Sequence, residues 1–215
     1  MDFKSLDEVL LSDVRQKSWA IIEHNGVIRE ARFKDLHKRM VGLTLNSTVP
    51  EDVRTGFDTA RNLFLYSWFV YRFLPVAELQ AHATLEYALG RRIAIEKAGR
   101  VNGLNKRFNL AVQRGWLRGE EIRRYQKMAV RRKEYEEYQK RFFKEMFRTG
   151  GEWLNPDTRS ETEHAFAYLQ SLNKTMPKLR NWVAHGTPML NGGAALTLEI
   201  CCDLINQLFP RKIEA

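Results

Sequence analysis

Apolar residues recur at three- and four-residue steps along most of this 215-residue chain, the spacing that places them on one face of an α-helix. From residue 51 onward the pattern is dense enough to predict a bundle of five or six helices, one of them long and basic. The sequence therefore predicts an all-α fold. The predicted helices cover residues 51–73, 76–97, 104–116, 120–148, 160–175 and 194–209, with a further short helix starting at 175.

The first fifty residues have a different pattern. Two runs rich in β-forming residues, 19–23 and 27–31, flank Asn25-Gly26, and an Asn-Gly step between such runs predicts a β-hairpin. Short helices are predicted over 5–15 and 35–41. We therefore divide the chain into an N-terminal extension, 1–50, and a helical domain, 51–215.

Prolines and caps set two of the predicted helix boundaries. Pro75 should end the helix that begins at residue 51 and start the next one. Thr175 has the character of an N-cap and Pro177 would then lie in the first turn, so a new helix is predicted to begin there.

Composition bears on partners more than on fold. The net charge of +9 and the pI of about 9.7 favour a polyanionic partner, nucleic acid before a membrane surface, although many basic proteins bind no anion specifically. Cys201 and Cys202 are neighbours, which disfavours a disulfide between them, and no C-x-x-C or H-E-x-x-H spacing indicates a metal site. The acidic N-terminus is not a secretory signal, and Arg72 interrupts the longest apolar run. We expect a cytoplasmic protein without a cofactor.

The predicted helix over 120–148 carries most of its basic residues on one face. An RNA-binding surface is one interpretation, and a solvated face whose charge is partly balanced by Glu134, Glu136, Glu137 and Glu145 is another. A dimer contact made by its extra length is a third. Tyr125 can stack on unpaired bases or belong to the packing face. The predicted RNA-binding residues are Arg123, Arg124, Lys127, Arg131 and Arg132.

The strongest chemical signal is the stretch Leu-Arg-Asn-Trp-Val-Ala-His-Gly at 179–186. If it is helical, Asn181 and His185 lie one turn apart on one face, so the amide can fix the tautomer of the imidazole. Arg180 lies about 140° around the helix from His185 and can reach the same phosphate only if the helix ends there or a second motif faces the first. Gly186 is the residue type that commonly ends a helix.

This stretch resembles the R-N-x3-H form of the motif of HEPN ribonucleases (higher eukaryotes and prokaryotes nucleotide-binding domains). A leucine precedes the arginine, and Ala184 and Gly186 bracket the histidine. The segment Ala-Thr-Leu-Glu-Tyr-Ala-Leu at 83–89 is similar to the acidic helix that these domains pack near the motif. The resemblance spans roughly residues 51–209 and leaves the first fifty outside it.

The resemblance implies a metal-independent endoribonuclease that acts as a homodimer with a composite cleft. His185 would be the general acid or base, Arg180 would bind phosphate, Asn181 would orient His185, and Glu86 would hold Arg180. The product would carry a 2′,3′-cyclic phosphate. By analogy with the family, the protein would be a toxin or antiviral effector with RNA as substrate and an antitoxin or regulatory protein as partner.

Other interpretations stay open from the sequence. The cleft can bind RNA or a nucleotide without cleaving it, or the helices can form a protein-interaction module. His185 can simply interact with the C-terminal dipole of a helix. Glu78, His82 and Glu86 recur at four-residue steps, and pairing along a helix face explains this row better than a metal site does.

Overall fold

A computed structural model describes residues 3–146, 157–184 and 193–211, and within these ranges the chain is mostly helical with one small sheet near the N-terminus. This confirms the predicted all-α fold with an N-terminal hairpin. The helices are α1 (Phe33–Val41), α2 (Glu51–Tyr66), α3 (Phe73–Ile95), α4 (Leu104–Gln113), α5 (Arg123–Met146), α6 (Glu161–Ala184) and α7 (Ala194–Leu208), and the strands are β1 (Ala20–Ile22) and β2 (Ile28–Glu30).

The hairpin forms around the predicted Asn-Gly step. Strands β1 and β2 are antiparallel, and Ile22 pairs with Ile28. Gly26 has a φ of +80°, a conformation that glycine adopts without strain, and the Asn25 Oδ1 atom accepts a hydrogen bond from the Val27 backbone N–H at 3.1 Å. The turn residues thus close the hairpin by the local chemistry that the sequence indicated.

The prediction of a helix over 5–15 was wrong. Residues 6–10 form turns instead, and a short 3-10 helix follows over Val14–Ser18 with Asp13 as its N-cap. Leu6 and Leu10 remain highly exposed. Apolar spacing alone did not produce a helix here, since these side chains have no buried face to fill.

The boundary between α2 and α3 also differs from the prediction, because α2 ends at Tyr66 rather than near residue 73. The N-terminal segment binds the connection that follows. The Asp13 backbone N–H donates to the Trp68 carbonyl at 2.8 Å, its carboxylate accepts from the Tyr71 N–H at 3.1 Å, and Gln16 Nε2 donates to the Ser67 carbonyl at 2.8 Å. These contacts satisfy backbone groups outside a helix, so the chain turns early, and the proline at 75 lies in the first turn of α3.

Helix α6 is continuous, whereas the sequence predicted a break at Thr175. The Thr175 hydroxyl donates to the Ser171 carbonyl at 2.9 Å and is not an N-cap. Pro177 lies inside the helix and lacks the N–H that would bind the Asn173 carbonyl. Asn105 Nδ2, from α4, donates to that carbonyl at 3.2 Å and replaces the missing bond.

Helix α3 is the centre of the bundle and packs against α2, α4, α6 and α7. Leu85 and Leu89 of α3 are fully buried, and so is Cys201 of α7, which like Cys202 is a free thiol. Within the described ranges, no helix combines the length and apolar character that crossing a membrane requires. The fold brings the acidic residues of α3 against the end of α6 that carries the motif.

Candidate functional site

The described part of α6 ends at Ala184, so only part of the predicted catalytic motif can be placed. Arg180 and Asn181 lie in its last two turns. His185 and Gly186 lie outside the described residues. The predicted pairing of Asn181 with His185, and the helix end at Gly186, therefore stay predictions.

Arg180 lies beside Glu86 of α3, the residue that was predicted to hold it. The Nη2 atom of Arg180 is 3.4 Å from the Glu86 Oε2 atom, and its Nη1 atom is 3.5 Å from the Asn181 Oδ1 atom. The Arg180 side chain is 41% exposed. Because a guanidinium has five N–H donors, it can make these two contacts and still offer donors to a phosphate oxygen.

Two more polar residues precede Glu86 on the same face of α3, at successive turns. His82 is 2% exposed and Glu78 is 7% exposed. Burial, together with the positive charge of Arg180, lowers the pKa of His82 to about 4, so its imidazole is neutral at physiological pH. Burial raises the pKa of Glu78 to about 7, although a hydrogen bond from the Thr197 hydroxyl at 3.4 Å acts in the opposite direction.

Glu78, His82 and Glu86 do not form hydrogen bonds or ion pairs with one another along α3, so the interpretation as pairing along a helix face was wrong. Glu78 accepts a hydrogen bond from α7 and Glu86 pairs with α6, and the buried Nδ1 atom of His82 has no hydrogen-bond partner among the described residues. In the described ranges, no group of three or more histidine, cysteine, aspartate or glutamate residues is placed to hold a metal ion. The four-residue spacing revealed the row, but its burial depends on α6 and α7 and was not visible in the sequence.

Glu78 and His82 line a cavity of about 190 Å³ between α3, α6 and α7. Apolar side chains form most of its wall, and Thr175 of α6 and Thr197 of α7 each contribute a hydroxyl group. Such a mixture of apolar walls and a few polar groups is typical of small-molecule sites. The remaining lining residues are Leu172, Thr175, Met176, Leu179, Gly193, Leu196, Thr197 and Ile200.

Three of the five predicted RNA-binding residues form ion pairs within the bundle. Arg123 Nε is 2.7 Å from Asp203 Oδ1, Lys127 Nζ is 2.9 Å from Glu199 Oε1, and Arg132 Nη2 is 2.8 Å from Glu161 Oε2. These pairs fasten the first half of α5 to α7 and α6. For Arg124 and Arg131, by contrast, no carboxylate oxygen of the described residues lies within ion-pair distance, and Arg131 is exposed.

Tyr125 belongs to the packing face of α5. Its side chain is buried, its ring contacts that of Tyr168, and its hydroxyl donates to the Glu161 carboxylate. Further along, the aromatic side chains are exposed. The rings of Tyr138 and Phe142 stack with their centroids 6.1 Å apart, on a half of the helix that also carries Lys140, Arg141 and Lys144.

Comparison with known proteins identifies no relative: no family model matches the chain, and neither the curated proteins nor the solved structures include a detectable match. The likeness to HEPN ribonucleases consequently depends on the motif at 179–186 and its helical setting.

Proposed function

We propose that this chain is a metal-independent endoribonuclease of the HEPN type. The observation that supports this most is the placement of Arg180, which Glu86 of α3 contacts while 41% of the arginine side chain stays exposed. In the sequence, Asn181 directly follows Arg180, and His185 comes four residues after Asn181. Transphosphorylation of RNA uses a guanidinium that stabilises charge on the phosphate and imidazoles that transfer protons, and the motif supplies one group of each kind.

In the proposed reaction, His185 removes the proton of a ribose 2′-hydroxyl, or protonates the 5′-oxygen that leaves. The 2′-oxygen forms a bond to phosphorus while the bond from phosphorus to the 5′-oxygen breaks, which yields a 2′,3′-cyclic phosphate and a 5′-hydroxyl. Arg180 stabilises the charge that develops on the non-bridging oxygens. Asn181 orients the imidazole.

One imidazole cannot act as base and acid in the same step, so we propose a homodimer in which two motifs form one cleft. The basic surface of α5 would guide RNA to it, with Arg124 and Arg131 contacting phosphates and Arg123, Lys127 and Arg132 shaping that surface. A role as a toxin or antiviral effector, restrained by an antitoxin or regulatory protein, follows from the resemblance alone.

The test is cleavage of labelled RNA in excess chelator by the purified chain and its variants. Arg180→Ala and His185→Ala should each lower the rate by roughly 10²- to 10⁴-fold, the usual size of acid–base and electrostatic contributions. Glu86→Gln should lower it about tenfold, since the arginine keeps its charge but loses its partner. The matched control is Arg91→Ala. Arg91 is another arginine in contact with an acidic residue: it lies on α3, and its Nε atom is 3.5 Å from the Asp52 Oδ2 atom of α2.

Cleavage that needs an added divalent metal, or that survives both the Arg180 and His185 substitutions, would contradict this mechanism. Salt-sensitive RNA binding without a cyclic-phosphate product would favour the non-catalytic RNA-binding alternative. A stable protein complex without any RNA binding would favour the interaction module.

A further inference from the structure

The cavity that contains Glu78 and His82 lies next to the proposed phosphate-binding arginine. His82 is one helical turn from Glu86 on α3, a rise of about 6 Å. On the facing helix α6, Leu179 lines the cavity and directly precedes Arg180. The cavity thus adjoins the turn of α3 and the residue of α6 that would hold the phosphate.

The size of the cavity restricts its ligand. A volume of about 190 Å³ is smaller than the pockets of about 300–1,000 Å³ that enclose drug-sized ligands. Leu172 and Met176 of α6 face Leu196 and Ile200 of α7 across the space between the helices. Apolar walls of this kind suit one flat ring system.

The polar groups of the cavity have unused hydrogen-bonding capacity. Within the part of the chain that the structure describes, the Glu78 carboxyl has one hydrogen bond, at 3.4 Å, and the buried Nδ1 atom of His82 has none. Buried polar atoms in folded proteins are almost always satisfied, so the Glu78 carboxyl, which lines the cavity beside His82, indicates a ligand that completes its hydrogen bonds. The ligand should present two donors to the carboxyl and an acceptor to the imidazole.

We infer that this cavity is a base-specificity pocket that receives an unpaired guanine of the RNA substrate. Glu78 accepts the guanine N1–H and N2–H groups, and an N–H of the neutral His82 imidazole donates to O6. This assignment rests on the proposed ribonuclease function and adds a substrate class to it.

Guanine is the base whose Watson–Crick edge fits this pattern. It offers two adjacent N–H donors beside an acceptor, whereas adenine and cytosine place an acceptor next to their amino group and uracil has a single donor between two acceptors. Two N–H donors stabilise the charged carboxylate, which offsets the burial that raises the pKa of Glu78 to about 7. A base must be unstacked to enter, so single-stranded RNA is the expected substrate.

The first experiment is digestion of a randomised single-stranded RNA pool, with sequencing of the cut ends. Wild type should enrich guanine on the order of tenfold or more at one fixed position within a nucleotide of the cut. Glu78→Gln, an isosteric change, should cut without that enrichment. Glu96→Gln, at the exposed end of α3 where Glu96 pairs with Arg92, is the matched control and should retain it. Enrichment of another base, no enrichment, or unchanged enrichment in Glu78→Gln would overturn the assignment.

The second experiment measures nucleotide binding to wild type by calorimetry and needs neither cleavage nor a variant. Guanosine 5′-monophosphate should bind on the order of tenfold more tightly than adenosine 5′-monophosphate or inosine 5′-monophosphate, which lacks the N2 amino group. If no RNA is cleaved, the proposed function fails, and this preference still supports the pocket. Equal affinities, or no binding of guanosine 5′-monophosphate, would overturn the pocket even in an active ribonuclease.

Discussion

Among single side chains, burial sets the charges around the proposed phosphate site. His82 is neutral because it is buried and near Arg180, and Glu78 holds its proton up to a pH of about 7. Near neutrality, Arg180 therefore lies close to an uncharged imidazole, and its ion-pair partner among the described residues is Glu86.

Glu78→Gln should change how stability depends on pH. The ordinary glutamate pKa is 4.5 and that of Glu78 in the folded chain is about 7, so between these values the folded state holds a proton that the unfolded chain has released. The stability of wild type relative to the variant should therefore fall as pH rises from 4.5 to 7, by on the order of 3 kcal/mol. Urea unfolding of both proteins across this range measures the difference.

The titration of His82 changes stability in the opposite direction but does not affect the difference between wild type and Glu78→Gln. Because the folded pKa of His82 lies below the ordinary value of 6.5, the stability from its neutral form is lost as pH falls from 6.5 toward 4. That contribution is present in both proteins and cancels in their difference. Parallel stability curves for wild type and Glu78→Gln would show that the carboxyl is not desolvated as described.

At the scale of elements, the main departure from a regular helix is Pro177 within α6. Its ring crowds the carbonyl four residues earlier, and its missing N–H leaves that carbonyl without a helical partner. Asn105 of α4 supplies a donor at 3.2 Å, and Asn173 Nδ2 in turn donates to Asn109 Oδ1 at 2.6 Å. This contact between α4 and α6 keeps the helix continuous as far as the motif.

A double-mutant cycle tests this account. Asn105→Ala should lower the free energy of unfolding by about 1–2 kcal/mol because it leaves the Asn173 carbonyl unsatisfied. In a Pro177→Ala background the new N–H can bond to that carbonyl, so the same substitution should cost about 1 kcal/mol less. Chemical denaturation of the four proteins gives the coupling. An equal loss in both backgrounds would mean that Asn105 does not replace the proline's missing bond.

The same elements show what the sequence can predict. Helical periodicity located α2 to α7 and the Asn-Gly step located the hairpin, because both signals are local. The end of α2 and the continuity of α6 depend on Asp13, Gln16 and Asn105, which are distant in sequence and act by single hydrogen bonds. For the site, the resemblance of the segment at 83–89 to the acidic helix of HEPN ribonucleases suggested Glu86 as a candidate partner of Arg180. The cavity beside them arises only when α3, α6 and α7 pack together.

For the whole molecule, the net charge is +9, and the basic residues of α5 differ in whether they form ion pairs within the bundle. In the first half of α5, several basic residues form ion pairs with α6 and α7. In its second half, basic residues are exposed beside exposed aromatic rings such as those of Tyr138 and Phe142. Mixed basic and aromatic surfaces bind single-stranded nucleic acid well and also form interfaces between proteins. In the proposed dimer, a basic and aromatic surface of this kind has to stay accessible to RNA at the composite cleft and cannot be buried in the contact between the two chains.

The need for two motifs in one cleft predicts how activity falls when inactive chains are mixed in. His185→Ala chains are exchanged into wild type at constant total concentration, and native mass spectrometry verifies that exchange is complete. If both imidazoles act in one cleft, only dimers of two wild-type chains cleave, so a half-and-half mixture should retain roughly one quarter of the rate. Mixing with Arg91→Ala chains should leave the rate unchanged. Retention of one half would mean that each motif works alone, and the single imidazole would then have to exchange protons with water between steps.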